Sequence, residues 1–207
     1  MHKTRLGFLA SSRGTNMQAI IDACKTGRLP AQPVVIISNN SDSGALSRAR
    51  TEGIAGFHLG SRDYPDAEEL DQKIVDTLQA HAVEIVILAG YMKKIGFKVL
   101  EAYPGRILNI HPALLPKYGG KGMYGMHVHK AVIANGDIES GVTIHVVDSQ
   151  YDTGPILAQK KVVVESTDTA ETLSRKVLAI EHELYVDTLN RILAGEIELP
   201  VVPASSG

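Results

Sequence analysis

The sequence predicts an α/β fold with a Rossmann-like, doubly wound and mostly parallel sheet. Two observations support this prediction. In the first half of the chain, short apolar runs rich in β-branched residues alternate with segments of helical periodicity, which is the pattern of repeated β-α-β units. After Gly90 the chain holds a long glycine-rich stretch and then a strand whose two faces differ in polarity. We therefore expect the sheet to become mixed in its C-terminal part.

Three strands are predicted in the first half, at Leu6–Ala10, Val34–Ile37 and Ile85–Ala89. Each is a continuous apolar run closed by small or polar residues, as expected for strands buried on both faces of a parallel sheet. A short helix is predicted from Ser43 to near Gly53. Two further helices are indicated by apolar residues three or four positions apart: Met17, Ile20, Ile21 and Cys24 in the first, and Leu70, Ile74 and Leu78 in the second.

The second half is predicted to hold three extended segments and a closing helix. The extended segments are Arg106–Ile110, Gly141–Val147 and Ile156–Val164. Between the first two, Pro112 to Met126 holds two prolines and four glycines and is predicted to be irregular, as functional or mobile loops are. The closing helix is indicated by the stripe Leu173, Val177, Ile180 and Leu184, the N-cap candidates Ser166, Thr167 and Asp168, and a stop at Gly195.

We expect one domain over residues 1–207, with halves at about 1–100 and 101–195 and a polar tail at about 196–207. The chain has 21 basic and 23 acidic residues and a net charge of -2, which argues against a general nucleic-acid or membrane-surface binder. The single cysteine, Cys24, cannot form an internal disulfide, which fits a reducing compartment. No apolar run approaches the roughly 20 residues that span a bilayer, so a cytoplasmic protein is expected.

The first candidate site is the turn from Ser11 to Asn16, between the first strand and the first helix. In a doubly wound fold this turn lies at the carboxyl edge of the sheet, where backbone N–H groups and the helix dipole bind anions. Phosphate binding is one interpretation. The other is simple capping, with Thr15 or Asn16 starting the helix.

The second candidate site is Asn109-Ile110-His111, at the end of a strand. Residues two apart in an extended segment project from the same face, so an amide and an imidazole lie side by side. Such a pair suits an oxyanion, to which Asn109 donates a neutral N–H and protonated His111 a charged one. The alternative is a buried histidine that is hydrogen-bonded to backbone.

The third candidate site is the segment Asp148 to Pro155, which follows the strand with one polar face. A carboxylate here could face the imidazole, raise its pKa and fix its tautomer. Turn capping is the alternative for either aspartate, and spacing alone does not choose between Asp148 and Asp152. A metal site is not expected, although His111, His127, His129 and His145 are present, because the carboxylate spacing of helical zinc sites is missing.

Taken together, four segments resemble the phosphoribosylglycinamide formyltransferase family. They are Ser11–Ile20, Leu88–Met92, Asn109–Tyr118 and Asp152–Pro155. The similarity runs in order from about Leu6 to Leu193, and one departure is Ser12, where the family commonly has glycine. The resemblance implies the formyltransferase fold, with phosphate bound by the N-terminal half and folate by the C-terminal half.

The resemblance further implies that the amine of glycinamide ribonucleotide takes a formyl group from 10-formyltetrahydrofolate in purine synthesis, without a metal. Asn109 and protonated His111 would stabilise the tetrahedral oxyanion. Asp152, matched by its place before x-Gly-Pro, would keep His111 charged and assist proton transfer. Two alternatives stay open: a hydrolase that gives the formyl group of the same cosubstrate to water, and a non-catalytic nucleotide-binding domain.

The resemblance also assigns binding residues. Those for the ribonucleotide are Arg13, Gly14, Thr15 and Asn16 at its phosphate and Glu181 at its glycinamide end. Those for the folate are Leu88, Tyr91, Met92 and Ile95, together with the backbone of Val146–Asp152. Within this segment, Val146 and Asp148 are assigned to the folate. Small molecules are the expected partners, without nucleic acid or membrane, for a monomer or homodimer.

Overall fold

Seven strands form one sheet in the computed structural model, which describes residues 2–200. The strands are β1 (Thr4–Ala10), β2 (Ala31–Ser38), β3 (Ala55–His58), β4 (Ile85–Leu88), β5 (Ile107–His111), β6 (Glu139–Val146) and β7 (Ile156–Val163). The helices are α1 (Thr15–Lys25), α2 (Gly44–Glu52), α3 (Ala67–Ala80), α4 (Phe97–Ala102), α5 (Met126–Ala134) and α6 (Ala170–Leu193).

The strand order in the sheet is β3-β2-β1-β4-β5-β6-β7. The first five positions in this order pair in parallel, whereas β6 pairs antiparallel with both β5 and β7. The predicted fold class, a mostly parallel sheet with a mixed C-terminal part, is therefore confirmed. Because β1, β4 and β5 are neighbours, their carboxyl ends and the loops that follow them meet at one edge.

Helices cover both faces of the sheet. Apolar residues of α1, α2, α5 and α6 pack in one cluster and those of α3 and α4 in another. In the first cluster the fully buried Tyr185 of α6 donates its hydroxyl proton to the carbonyl of Leu108, at 2.9 Å. In the second, Ile74 and Leu78 of α3 are buried as their spacing predicted. No helix within residues 2–200 is long and apolar enough to cross a membrane.

Three elements were not predicted from the sequence. The strand β3 has only four residues and is half exposed at the edge of the sheet, so no apolar run marks it. The helix α4 has six residues, too few for a periodicity to be visible. The helix α5 begins at Met126 and buries Val128, His129 and Val132, but the preceding glycines conceal its start. The predicted irregular stretch before it does lack helix and strand from 112 to 125.

The predicted N-cap of the closing helix is wrong by one to three residues. Thr169, rather than Ser166, Thr167 or Asp168, caps α6, and its hydroxyl accepts from the N–H of Thr172. Asp168 instead lies in the turn before α6, where its carboxylate accepts the backbone N–H of Glu165 and pairs with Lys176 of α6. Of the predicted tail, residues 196–200 contain no helix or strand, and the rest lies outside the described residues.

Candidate active site

A cavity of about 540 Å³ opens at the carboxyl edge of the sheet. Its wall is formed by the turn after β1, the loop after β4, the ends of β5 and β6, the glycine-rich loop before α5 and one face of α6. All three candidate sites of the sequence analysis line this single cavity. The topology explains the convergence of the first two sites, since parallel strands of one sheet deliver the residues at their carboxyl ends to the same edge. The third site follows β6, which runs antiparallel to β5, and the segment after β6 completes the wall.

The turn after β1 presents uncapped backbone N–H groups to the cavity. Gly14 is the N-cap residue of α1 with φ of 66°, and no side chain caps this helix end. The capping interpretation, with Thr15 or Asn16 as the cap, is therefore wrong. The exposed side chain of Arg13 adds a positive charge beside the helix dipole. A helix N-terminus of this kind attracts anions.

Asn16 and Glu181 form a buried pair at the same end of the cavity. The Asn16 Nδ2 donates to Glu181 Oε2 at 2.7 Å, which joins α1 to α6. Burial raises the pKa of Glu181 to about 7, although the bond from Asn16 opposes the shift. The buried Oδ1 of Asn16 has no partner among the described residues, so it can accept a hydrogen bond from a ligand.

Asn109 and His145 face each other across β5 and β6. They are directly opposite in the antiparallel register, and Asn109 Nδ2 donates to His145 Nε2 at 3.0 Å. The other ring nitrogen of His145 donates to the carbonyl of Val146 at 2.9 Å, which places a proton on Nδ1. Asn109 lines the cavity, and its second amide N–H can donate to a ligand there.

His111 is buried, with 3% of its surface exposed. Its Nε2 donates to the carbonyl of Tyr118 at 2.7 Å, and its Nδ1 lies 3.5 Å from Asp152 Oδ2. Burial is the largest influence and lowers the pKa of His111, and the charge of Asp152 does not compensate for it. Desolvation disfavours the imidazolium here, and the expectation that Asp152 keeps His111 charged stays a prediction.

Asp152 lies between the two histidines. Its Oδ1 is 3.5 Å from His145 Nε2, and its Oδ2 accepts the N–H of Gly120 at 2.9 Å. Burial, the largest influence, acts to raise the pKa of Asp152, but the neighbouring imidazoles of His145 and His111 and the N–H of Gly120 together lower it. An ionised carboxylate thus faces both imidazoles at neutral pH.

Asp148, the other candidate carboxylate, stabilises the turn instead. Its Oδ1 accepts from the N–H of Gln150 and the hydroxyl of Thr153, both at 2.9 Å. This is the capping interpretation of the sequence analysis. The structure therefore separates the two aspartates, which spacing could not do, and Asp148 remains at the cavity wall.

Two buried histidines were not assigned a place in the site from the sequence. The signal for His145 is its position in β6, since the alternating pattern places it on the polar face and the register places it opposite Asn109. His129 of α5 lines the cavity with 3% of its surface exposed. Burial, followed by the charge of His111, lowers the pKa of His129.

The loop after β4 forms the apolar side of the cavity. Leu88 and Ile95 are buried there, and Tyr91 and the half-exposed Met92 continue the wall. Burial, followed by the charge of Asp71, raises the pKa of Tyr91 to about 12, so its hydroxyl stays neutral.

The side chain of Val146 does not contribute to this wall, and the expected contact of its backbone with the folate stays a prediction. Its side chain is fully buried in the core, and its N–H donates to the carbonyl of Pro155. Side chains alternate along a strand, so Val147 and His145 line the cavity while Val146 points into the core.

Known proteins resemble this chain over most of its length. The model of the formyl transferase family matches residues 4–189. The chain belongs to this family. A chloroplastic phosphoribosylglycinamide formyltransferase of Arabidopsis thaliana is 41% identical over 197 residues, which cover 95% of the chain and 68% of that protein. The phosphoribosylglycinamide formyltransferase of Escherichia coli K12 is 36% identical over an aligned region that covers 92% of this chain and 88% of that protein.

A solved family structure has the same architecture. The glycinamide ribonucleotide transformylase 1 of Symbiobacterium toebii superposes with a TM-score of 0.89 at 37% identity, over 98% of this chain and 95% of its own. The resemblance stated from the four sequence segments is confirmed.

Proposed function

We propose that this protein transfers the formyl group of 10-formyltetrahydrofolate to the amine of glycinamide ribonucleotide in purine synthesis. The observation that supports this function best is that Asn109, His111 and Asp152 line the same cavity as an uncapped helix N-terminus and an apolar loop. The helix N-terminus suits a phosphate and the apolar loop suits a flat heterocycle, and the polar group of three side chains shares the cavity with both. Two small molecules of these classes would meet at that group.

The ribonucleotide binds at the turn after β1. Its phosphate accepts hydrogen bonds from the backbone of Gly14, Thr15 and Asn16, and the side chain of Arg13 adds an opposite charge. Glycine at position 14 allows the φ of 66° that starts α1 here, and it leaves room for close packing, since a Cβ there would lie 3.1 Å from Met17 and 3.2 Å from Ala45. At the glycinamide end, Glu181 and the free Oδ1 of Asn16 accept N–H or O–H donors.

The formyl donor binds along the loop after β4. Its pterin lies against Leu88, Tyr91, Met92 and Ile95, where an apolar wall covers the ring. Backbone groups near Asp148 supply the hydrogen bonds for its polar edge. This orientation directs the N10 formyl group toward Asn109.

Asn109 stabilises the oxyanion. Attack of the amine on the formyl carbon makes a tetrahedral intermediate whose oxygen gains a negative charge. The second amide N–H of Asn109 donates to that oxygen, while its first N–H stays bound to His145. His145 thereby orients the amide, and loss of a donor of this kind typically costs about 10²–10³ in rate.

The His111–Asp152 pair moves the proton. The attacking amine must lose a proton, and N10 must gain one as the C–N10 bond breaks. A neutral His111 next to an ionised Asp152 can take this proton and become an imidazolium paired with the carboxylate. His111 thus contributes a positive charge only while the oxyanion exists, and the proton then passes to N10.

The direct test is consumption of 10-formyltetrahydrofolate by the purified protein, with and without glycinamide ribonucleotide. We expect consumption only in the presence of the ribonucleotide. Consumption without it would indicate the hydrolase, and no consumption in either case would contradict both catalytic functions and leave only the fold. We further propose that the protein is a cytoplasmic monomer or homodimer. Burial raises the pKa of the half-buried Cys24 thiol to about 11, and a free thiol of this kind fits a reducing compartment.

A further inference from the structure

Ser11 joins three loops at the carboxyl edge of the sheet. It directly follows β1, and its N–H donates to the carbonyl of Gly90 at 3.0 Å. Its hydroxyl accepts the N–H of Met92 at 2.7 Å and donates to Asn39 Oδ1 at 2.6 Å. Gly90 and Met92 belong to the loop after β4, and Asn39 follows β2. One residue therefore connects the loops of three neighbouring strands.

The loops that Ser11 joins bind different ligands in the proposed function. The turn of residues 12–16 begins at the next residue and faces the ribonucleotide, while Met92 belongs to the wall that faces the formyl donor. Ser11 is absent from the cavity lining among the described residues. Its influence on a ligand must therefore pass through the residues that it holds.

The hydroxyl of Ser11 is well suited to hold the donor-side loop. Residues 90–96 have no helix or strand of their own, so side chains outside the loop must position its backbone. At its far end Asp71 accepts the N–H of Lys98 at 2.7 Å. At its near end the Ser11 hydroxyl accepts the Met92 N–H, and its own proton is used by Asn39. Both hydrogen-bonding directions of the hydroxyl are occupied.

We propose that Ser11 is a positioning residue that couples the two binding regions. The proposal rests on the proposed function, which assigns the ribonucleotide to the turn and the folate to the loop. A ligand that orders one of these segments orders the other through the bonds of Ser11, so each ligand binds more tightly when the other is present. Ser11→Ala removes the bonds to Met92 and Asn39 and keeps the backbone bond to Gly90.

The test measures binding rather than turnover. Tetrahydrofolate is titrated calorimetrically into the protein with and without saturating glycinamide ribonucleotide; no transfer occurs, because this folate carries no formyl group. In the wild type we expect the ribonucleotide to tighten tetrahydrofolate binding at least about fivefold. In Ser11→Ala we expect this ratio to fall close to one, while each Kd measured alone rises less than about tenfold.

Three further variants separate coupling from folding. Ser11→Thr keeps a hydroxyl and should retain most of the ratio. Asn39→Ala removes only the acceptor of Ser11 and should lower the ratio partly. Ser47→Ala removes an exposed serine hydroxyl on α2 and should leave the ratio unchanged. Thermal unfolding of each variant shows that the compared proteins are folded.

Several outcomes would overturn the proposal. Equal ratios in the wild type and Ser11→Ala would show that Ser11 does not couple the regions. Weaker binding of both ligands at an unchanged ratio would show a purely structural role. A wild type that binds both ligands without any coupling would contradict this proposal alone, whereas a wild type that binds neither would contradict the proposed function as well.

Discussion

Glu181 makes the stability of this protein depend on pH. The carboxyl group is 8% exposed and has one bond, from Asn16. Burial raises its pKa from 4.5 to about 7. Between these two pH values the carboxyl group is therefore protonated in the folded protein and ionised in the unfolded chain. Unfolding therefore becomes easier as pH rises from about 4.5 to 7, and the cost of ionising the buried group is fully present above pH 7.

The size of this effect follows from the shift. A rise of about 2.5 units at roughly 1.4 kcal/mol per unit corresponds to about 3 kcal/mol. Glu181→Gln keeps a neutral side chain of the same shape at every pH. We expect its free energy of unfolding to match the wild type near pH 4 and to exceed it by about 3 kcal/mol at pH 8.

The assay is urea unfolding of both proteins at unit steps from pH 4 to pH 8. The matched control is Glu183→Gln, because this glutamate lies two residues away on the exposed side of α6 and should give a nearly constant difference. A difference between Glu181→Gln and wild type that does not grow with pH would refute the reasoning. Lower stability of the variant at every pH would refute it as well.

Three further predictions concern the site, and a fourth concerns the packing of the fold. Asp152→Asn should lower kcat about 10² or more, because the neutral amide cannot balance an imidazolium, whereas Asp148→Asn should reduce it less than about fivefold; equal losses would contradict the assignment. Asn109→Ala should lower kcat/KM by about 10²–10³ in steady-state assays, and near-normal activity would exclude its oxyanion role. Arg13→Ala should raise KM for the ribonucleotide while leaving tetrahydrofolate affinity unchanged, as calorimetry would reveal. Gly96→Ala should destabilise the fold by about 1–3 kcal/mol, since the new Cβ would lie 2.2 Å from the Asp71 carboxylate; unchanged thermal unfolding would contradict this contact.

Much of the fold could be predicted from the sequence because periodicity reports burial. The strands β1, β2 and β4 contain continuous apolar runs, and the buried positions of α3 and α6 recur at helical spacing. Periodicity does not mark β3, which is short and half exposed, or α4, which has six residues. Such short elements depend on tertiary contacts with the surrounding chain rather than on a local pattern of apolar residues.

The candidate site was predictable in part. The spacing of Asn109 and His111 indicated a shared face, and the topology brought both to the cavity. The choice of Asp152 over Asp148 needed either the family resemblance or the three-dimensional turn, because both follow the same strand. His145 could not be recognised without the register that places it opposite Asn109.

The charge of His111 illustrates a limit of reasoning from residue types. An adjacent carboxylate ordinarily raises the pKa of a histidine. Here the imidazole is buried so deeply that desolvation outweighs Asp152. Burial depends on how the whole chain packs around the residue, which a motif does not report.

The central claim is that the formyl group passes to the ribonucleotide and not to water. The measurement that tests it most directly is product stoichiometry: formylated ribonucleotide, free formate and tetrahydrofolate are quantified together after one limiting portion of 10-formyltetrahydrofolate has been consumed. The arrangement of Asn109, His111 and Asp152 beside the phosphate-binding turn predicts one formylated ribonucleotide for each tetrahydrofolate released. Release of one formate for each tetrahydrofolate, with little formylated ribonucleotide, would contradict it.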